Sequence, residues 1–242
     1  MLSPDEMVRY QRQIMIPGLG EAGQEKLKKA RAFIAGAGGL ASPLAIYLAA
    51  AGVGTLRIVD GDTVELGNLN RQILHWTRDI GRHKIDSAAE KLRALNPEVE
   101  IETVGETIDD ANIADLCSGF DFIMDAVDNL PTRYILNRAA VKKKVPIFHG
   151  AISGFEGRAM TILPGRSACL MCLYRGVVVS SKTPVIGVTP AIIACIQATE
   201  AIKYITGIGQ LLVNRFLVYD GLNMRFTEIK VVRDPHCKEC GL

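Results

Sequence analysis

Two Cys-x-x-Cys pairs, Cys169-Leu-Met-Cys172 and Cys237-Lys-Glu-Cys240, set the strongest constraint on this chain, because together they tie its last residues back to its middle. Each short turn aims two sulfurs at one point, and two such turns supply the four thiolates of a tetrahedral zinc site. The competing reading is four free thiols that share this spacing by coincidence. A closed four-thiolate shell leaves no position for a substrate, so Cys169, Cys172, Cys237 and Cys240 are expected to hold structural zinc and no catalytic metal. Six cysteines without an export signal in Met1–Met7 point to thiols and metal in a reducing cytoplasm, not to a disulfide framework. The second half of the chain is therefore not an ordinary nucleotide-binding half-fold.

The 242 residues suffice for one large α/β domain or two small ones. A net charge of +2 offers no electrostatic reason to expect nucleic acid or an anionic membrane as partner. The longest apolar run, 185–205, is broken by Pro190, Gln197, Glu200 and Lys203, and reads as a buried helix, not a membrane span.

Segment 3–29 reads as helical, with Ser3 as N-cap, Pro4 at the first turn and Glu6 at the capping-box position. Residues 32–35 form a short apolar strand, Gly36-Ala-Gly-Gly-Leu-Ala41 a glycine-rich turn, 42–51 a helix, and 56–59 a strand ending at Asp60. That is a β-α-β unit. Helices over 85–95, 113–117 and 132–143 then alternate with strands over 99–104, 120–126 and 146–150. After Gly150 the pattern changes to antiparallel strands over 159–163, 216–219 and 225–232, flanking the cysteine pairs and a long helix over 190–206. The expected fold is α/β. A Rossmann-like, doubly wound, mostly parallel sheet continues into an antiparallel β-rich C-terminal half with the zinc site. No linker or repeat interrupts it, so 1–242 reads as one unit: a helical segment 1–30, a nucleotide-binding half 31–150 and a zinc-containing half 151–242.

The turn of Gly36, Gly38 and Gly39 lets the backbone approach a phosphate at the positive end of the following helix, and Asp60 is placed to accept from a ribose hydroxyl. Alone, such a turn can equally serve close helix–strand packing. The segment from Asp60 through Asp62 and Asn68 to Arg71 and Gln72, with Lys84 beyond it, adds a cation, amides and a second cation beside that turn. A pyrophosphate is largely satisfied by a helix N-terminus, whereas a triphosphate wants Arg, Lys and a metal. Asp128, followed by Asn129 at the end of a strand, is a natural magnesium carboxylate. Taken singly, Arg71 and Lys84 are as well read as a solvated surface.

In sequence order, Arg9-Tyr-x-Arg-Gln13, Gly36-Ala-Gly-Gly-Leu40, Asp60-x-Asp-x-Val-Glu65, Asn68-Leu-Asn-Arg-Gln72, Gly81-x-x-Lys84, Asp125-Ala-Val-Asp-Asn129 and both cysteine pairs resemble the MoeB/ThiF/HesA group of ubiquitin-activating-enzyme-like adenylating proteins. The resemblance runs from Arg9 to Gly241. It implies that ATP lies across the strand ends, with Gly39 under the phosphates and Asp60 on the ribose. Asn68, Arg71, Gln72 and Lys84 then contact phosphate oxygens, and Asp128 positions magnesium. It implies that Arg12 reaches into the site of a second subunit, making the enzyme an obligate homodimer. Its substrate would be the C-terminal glycine carboxylate of a small ubiquitin-fold sulfur carrier ending in Gly-Gly. Adenylation of that carboxylate releases pyrophosphate, and a separate sulfur donor, such as a cysteine desulfurase or sulfurtransferase, converts the adenylate to a thiocarboxylate.

Many relatives carry a further cysteine in the loop after the first pair. The loop 174–184 has none here, and Cys117 and Cys195 read as buried core residues, so no covalent enzyme intermediate is expected. Ala41 stands where relatives usually have glycine. No sulfurtransferase extension is expected beyond residue 242, so sulfur is expected from another protein. Two other classes stay open at this point: a non-catalytic ubiquitin-fold-binding homologue, and a nicotinamide oxidoreductase, which would leave Asn68–Gln72 and Lys84 without a purpose.

Overall fold

The computed structural model describes residues 1–177 and 183–241. One eight-stranded sheet runs through it. Its strands are β1 (Arg31–Ala35), β2 (Thr55–Val59), β3 (Glu100–Val104), β4 (Phe122–Asp125), β5 (Ile147–Ser153), β6 (Glu156–Ile162), β7 (Arg215–Asp220) and β8 (Arg225–Lys230), in the order β3-β2-β1-β4-β5-β6-β7-β8. The first five are parallel and the last three pairings antiparallel, as the change of pattern after Gly150 leads one to expect.

Strand β1 shows why the sheet needs helices on both faces. Ala32 and Ile34 enter one core cluster and Phe33 and Ala35 the other, and all four are buried. The first cluster is covered by α3 (Gly20–Lys29), α4 (Ala41–Ala51), α5 (Lys84–Leu95) and α9 (Val188–Thr206). The second is covered by α6 (Ile113–Leu116), α7 (Leu130–Lys143) and α8 (Leu170–Tyr174). Helix α9 lies close to β5 and β6 because two glycines make room. A Cβ at Gly157 would sit 2.4 Å from Ile193 Cγ1, and one at Gly150 2.4 Å from Gln197 Oε1.

The N-terminal helix breaks into three. Following α1 (Pro4–Arg9) and α2 (Gln11–Ile14), the chain turns through Pro17 and Gly18 before α3 begins. The first break lies at Tyr10, whose ring is 2% exposed and whose hydroxyl accepts from Asn96 Nδ2 at 2.8 Å. Burying that ring wins over helical continuity, which is worth little in so short a segment. Two further expectations need correction. β5 and β6 extend toward each other as a hairpin over 147–162, closed at Gly154, which adopts φ +58°. Cys117 is buried as expected, but Cys195 on α9 is half-exposed. Among the described residues no helix is long and apolar enough to cross a membrane.

Candidate active site

The carboxyl ends of β1, β2 and β4 meet at the glycine turn. Gly36 adopts φ +100°, a region that side chains avoid, and a Cβ there would sit 2.9 Å from the Ala126 carbonyl oxygen. Ala37, next in the turn, is held on both sides. Its N–H donates to Asp60 Oδ2 at 2.8 Å, and its carbonyl lies 2.8 Å from His75 Nε2. The other Asp60 oxygen accepts the Asp62 N–H at 2.8 Å. A carbonyl can only accept, so His75 carries its proton on Nε2, and Nδ1 faces Ser87 Oγ at 2.9 Å. Burial holds His75 below its ordinary pKa, which keeps the ring neutral.

A polar chain continues from Ser87 through Lys91 to Asp79. Burial alone would raise the Asp79 carboxyl, but the Lys91 ammonium and the Trp76 N–H hold it far below the usual range. His75 is absent from the sequence reading. Its signal there is a lone polar residue in the run Ile73-Leu-His-Trp76.

The Asn68–Gln72 segment folds back over the turn. The Asn68 carbonyl accepts the N–H groups of Arg71 and Gln72, at 3.1 and 2.9 Å. Arg71 donates to Gly67 O at 2.8 Å and to Asn70 Oδ1 at 3.0 Å, and its Cγ would lie 3.4 Å from a Cβ at Gly39. Gln72 is buried beside Gly38, and its Oε1 has no hydrogen-bond partner among the described residues. That oxygen can only accept and calls for a bound N–H or O–H donor, whereas the amide Nε2 on the Gly38 side is the group that could donate to a phosphate.

Lys84 opens α5 and reaches Asp62 Oδ2 at 2.7 Å. Together with Gly61, Thr63, Glu65 and Asn68, these two line an open cleft of about 340 Å³. Arg82 does not join it, since it pairs with Asp79 and Glu90, each at 2.8 Å. Asp128 and Asn129 lie exposed just beyond β4. Asn129 caps α7 by accepting the Thr132 N–H at 2.9 Å, and its Nδ2 lies 3.4 Å from Asp128 Oδ1. Thus Gly36, Gly38, Gly39, Asp60, Arg71 and Gln72 converge, and Asp62, Asn68 and Lys84 share the adjoining cleft. Arg12, exposed on α2, has no hydrogen bond or ion pair to any of them among the described residues.

At the other end of the chain, Cys169, Cys172, Cys237 and Cys240 present sulfurs that all lie within 4.8 Å of one another. The Sγ–Sγ distances are 4.0 Å for Cys169–Cys172, 3.7 Å for Cys169–Cys237 and 3.5 Å for Cys172–Cys240. A tetrahedral zinc with Zn–S near 2.3 Å spaces its sulfurs by about 3.8 Å, so the cluster fits that ion. Burial pushes the thiols of Cys169 and Cys240 up, so these two become thiolates here only with a cation beside them. Arg233 donates to the Cys240 carbonyl at 3.0 Å through Nε and braces the second turn. Residues 178–182 of the cysteine-free loop lie outside the described residues.

Comparison with known proteins shows which family the chain and its fold resemble. The chain is 42% identical over 246 residues to the SAMP-activating enzyme E1 of Haloferax volcanii, spanning 99% of this chain and 91% of that protein. It is 40% identical over 248 residues to the sulfur carrier protein adenylyltransferase of Thermus thermophilus, spanning 98% and 92%. Some curated relatives are longer, and the chain spans about half their length. Among solved structures, Escherichia coli MccB with MccA-N7isoASN superposes with a TM-score of 0.89 at 21% identity, over 100% of this chain and 76% of that one, a likeness of fold. The ThiF family matches residues 10–241, and this chain belongs to it.

Proposed function

We propose that the chain adenylates the C-terminal glycine carboxylate of a small ubiquitin-fold sulfur carrier ending in Gly-Gly. The observation that carries this reading is the convergence of the glycine turn, Asp60, Arg71 and Gln72 beside the Asp62–Asn68–Lys84 cleft. The names of the relatives, an E1-type activating enzyme and a sulfur carrier adenylyltransferase, point the same way.

A carboxylate oxygen of the carrier attacks the α-phosphorus of ATP. The bond from that phosphorus to the bridging oxygen breaks, and pyrophosphate leaves with the electron pair. The carboxylate is already ionised, so no protein nucleophile or base is required. The chain's tasks are alignment and the cancellation of charge on the leaving group. Asp60 holds the ribose, and the Gly36–Gly39 turn lies under the phosphates. Arg71 and Lys84 donate to phosphate oxygens, assisted by Asn68 and Gln72. Asp128, with Asn129 beside it, would hold magnesium, which offsets pyrophosphate charge when bound. Zinc at the four cysteines is structural.

The exposed Arg12 serves the site of a second copy, which makes the working unit a homodimer. The chain acts as one unit: a helical segment 1–30 supplies Arg12, 31–150 binds ATP and 151–242 receives the carrier. Its reduced thiols suit the cytoplasm. With no cysteine in loop 174–184, the adenylate passes to a separate sulfur donor without a covalent link to this chain.

ATP–pyrophosphate exchange with and without a Gly-Gly carrier is the test. Carrier-dependent exchange is the expected result. ATP binding without exchange would instead mark a non-catalytic carrier-binding protein, and NAD binding without ATP binding an oxidoreductase.

A further inference from the structure

Three buried or half-buried side chains from three elements form a hydrogen-bonded line that the adenylation chemistry leaves unused. The Tyr174 hydroxyl, at the end of α8, lies 2.9 Å from His149 Nε2 on β5, and His149 Nδ1 lies 2.6 Å from Asp125 Oδ2 at the end of β4. His149 and Asp125 are wholly buried. Burial outweighs the pull of Asp125 and holds His149 below its ordinary pKa, so the ring is neutral and carries one proton. With the Asp125 carboxylate as acceptor, that proton sits on Nδ1, and Nε2 accepts the Tyr174 O–H.

This line ends at the loop that carries Asp128. Asp125 Oδ1 accepts the Val127 N–H at 3.4 Å. Arg133, whose Nε lies 3.3 Å from Asp125 Oδ2, donates through Nη2 to the Val127 carbonyl at 2.6 Å and to Gly150 O at 2.9 Å. Both peptide groups of Val127, the residue before Asp128, are thus held by the Asp125–Arg133 pair. At its other end, Tyr174 stands two residues past Cys172 in the turn that presents the first cysteine pair. Tyr134 on α7 adds a second tie by donating to Val177 O at 2.9 Å.

We infer that Tyr174 and His149 are positioning residues that couple the seating of the Cys169–Cys172 turn to the Val127–Asp128 backbone, and so set how well Asp128 is placed for a divalent cation. The cation's role rests on the adenylation reading, whereas the coupling itself does not. Direct partners of a metal ligand typically change metal affinity or activity by about 10–100-fold when lost, and this line acts through Asp125 and Val127, so the low end of that range is expected.

The test uses the full zinc-loaded chain and two substitutions. Tyr174→Phe removes only the hydroxyl. His149→Asn keeps an N–H for Asp125 but has no acceptor at the Nε2 position that Tyr174 reaches. Both variants are expected to retain zinc, and amide hydrogen exchange at 127–129 should speed up about tenfold. In ATP–pyrophosphate exchange the magnesium needed for half-maximal rate should rise about tenfold, with the rate at saturating magnesium within about twofold of the parent. The double variant should be no worse than the worse single, because both break one link. Parental amide exchange in Tyr174→Phe, or a fall in maximal rate with no magnesium shift, would overturn the inference. If His149→Asn fails to fold, Tyr174→Phe decides alone. A parent chain that lacks exchange activity refutes the adenylation reading, and the amide measurement still tests the coupling.

Discussion

Lys84 Nζ lies 2.7 Å from Asp62 Oδ2, yet the lysine side chain is 7% exposed and the aspartate 74%. The buried partner is confined by packing, whereas the exposed one is free to swing aside when a phosphate arrives. The two substitutions should therefore differ. Lys84→Met is expected to lower the rate of ATP–pyrophosphate exchange by about 10²–10³-fold, as when one charge-stabilising donor is lost from an active site. Asp62→Asn should change it by less than about tenfold, the range of an exposed pair. Steady-state exchange rates with equal protein and carrier decide this, and a Lys84→Met protein with more than a tenth of parental activity would remove Lys84 from the phosphate site.

Gly36 and Gly38 should separate folding from binding. Gly36→Ala forces a side chain to φ +100° and a methyl against the Ala126 carbonyl, so a loss of about 1–3 kcal/mol in stability is expected. A Cβ at Gly38 would meet only Gln72 Nε2, at 3.7 Å, an ordinary contact. Gly38→Ala should stay within about 0.5 kcal/mol of the parent while weakening ATP binding, because the methyl stands where phosphate would approach. Thermal unfolding and calorimetric ATP titration of both variants read the two effects. Parental ATP affinity in Gly38→Ala would place the phosphates elsewhere.

Two buried histidines predict a loss of stability on mild acidification. Burial lowers the folded-state pKa of His75 and of His149 from the ordinary 6.5. Above pH 6.5 both states hold neutral rings. Below it the unfolded chain takes up protons that the folded chain refuses, so stability falls as pH falls. With two such rings the slope is bounded by two protons, or about 2.7 kcal/mol per pH unit. The lowered carboxyls of Glu6 and Asp79 act only at more acid pH, near and below their ordinary values of 4.5 and 3.8. Urea unfolding between pH 7.5 and 5 measures the slope, and His149→Asn should reduce it by about half. A flat profile in that window would mean that the rings are not held neutral.

Metal analysis should find about one zinc per chain. Cys240→Ser should lower the thermal midpoint by roughly 8–16 °C, the equivalent of about 4 kcal/mol for a chain of this size. Chelation should loosen the C-terminal strands before ATP binding is lost, because the cysteines lie at α8 and beyond β8, whereas the glycine turn follows β1. Limited proteolysis of the chelated protein with and without ATP shows the order, and loss of ATP binding ahead of C-terminal cleavage would reverse it.

Arg12 supplies a test of the homodimer. Arg12→Ala and Lys84→Met proteins should each be inactive. When refolded together, about half the dimers pair one of each and carry one intact site, restoring roughly a quarter of parental activity under the closed two-fold pairing usual for homodimers. No recovery would confine Arg12 to its own subunit or remove it from the reaction.

Local patterns were legible because their physics is local. A strand, a glycine-rich turn and a helix follow from residues a few positions apart, as do two sulfurs aimed by one Cys-x-x-Cys turn. The doubly wound half, its antiparallel continuation and each Cys-x-x-Cys turn were determined at that level, whereas the meeting of the two turns across 68 residues was not. The contacts that hold the site rigid are of another kind. His75 grips Ala37 across 38 residues, His149 grips Asp125 across 24, and Tyr174 grips His149 across 25. No spacing rule foretells such pairs, because each exists only once strand order has brought distant segments together and burial has removed water as a competing partner. The same holds where the chain departed from its local signals. Tyr10 interrupts a helical run to bury its ring. Residue types and their short-range order determined which chemistry the chain can attempt. Tertiary packing alone decided which cation enters the cleft, which tautomer each histidine keeps and how firmly the loop before Asp128 is held.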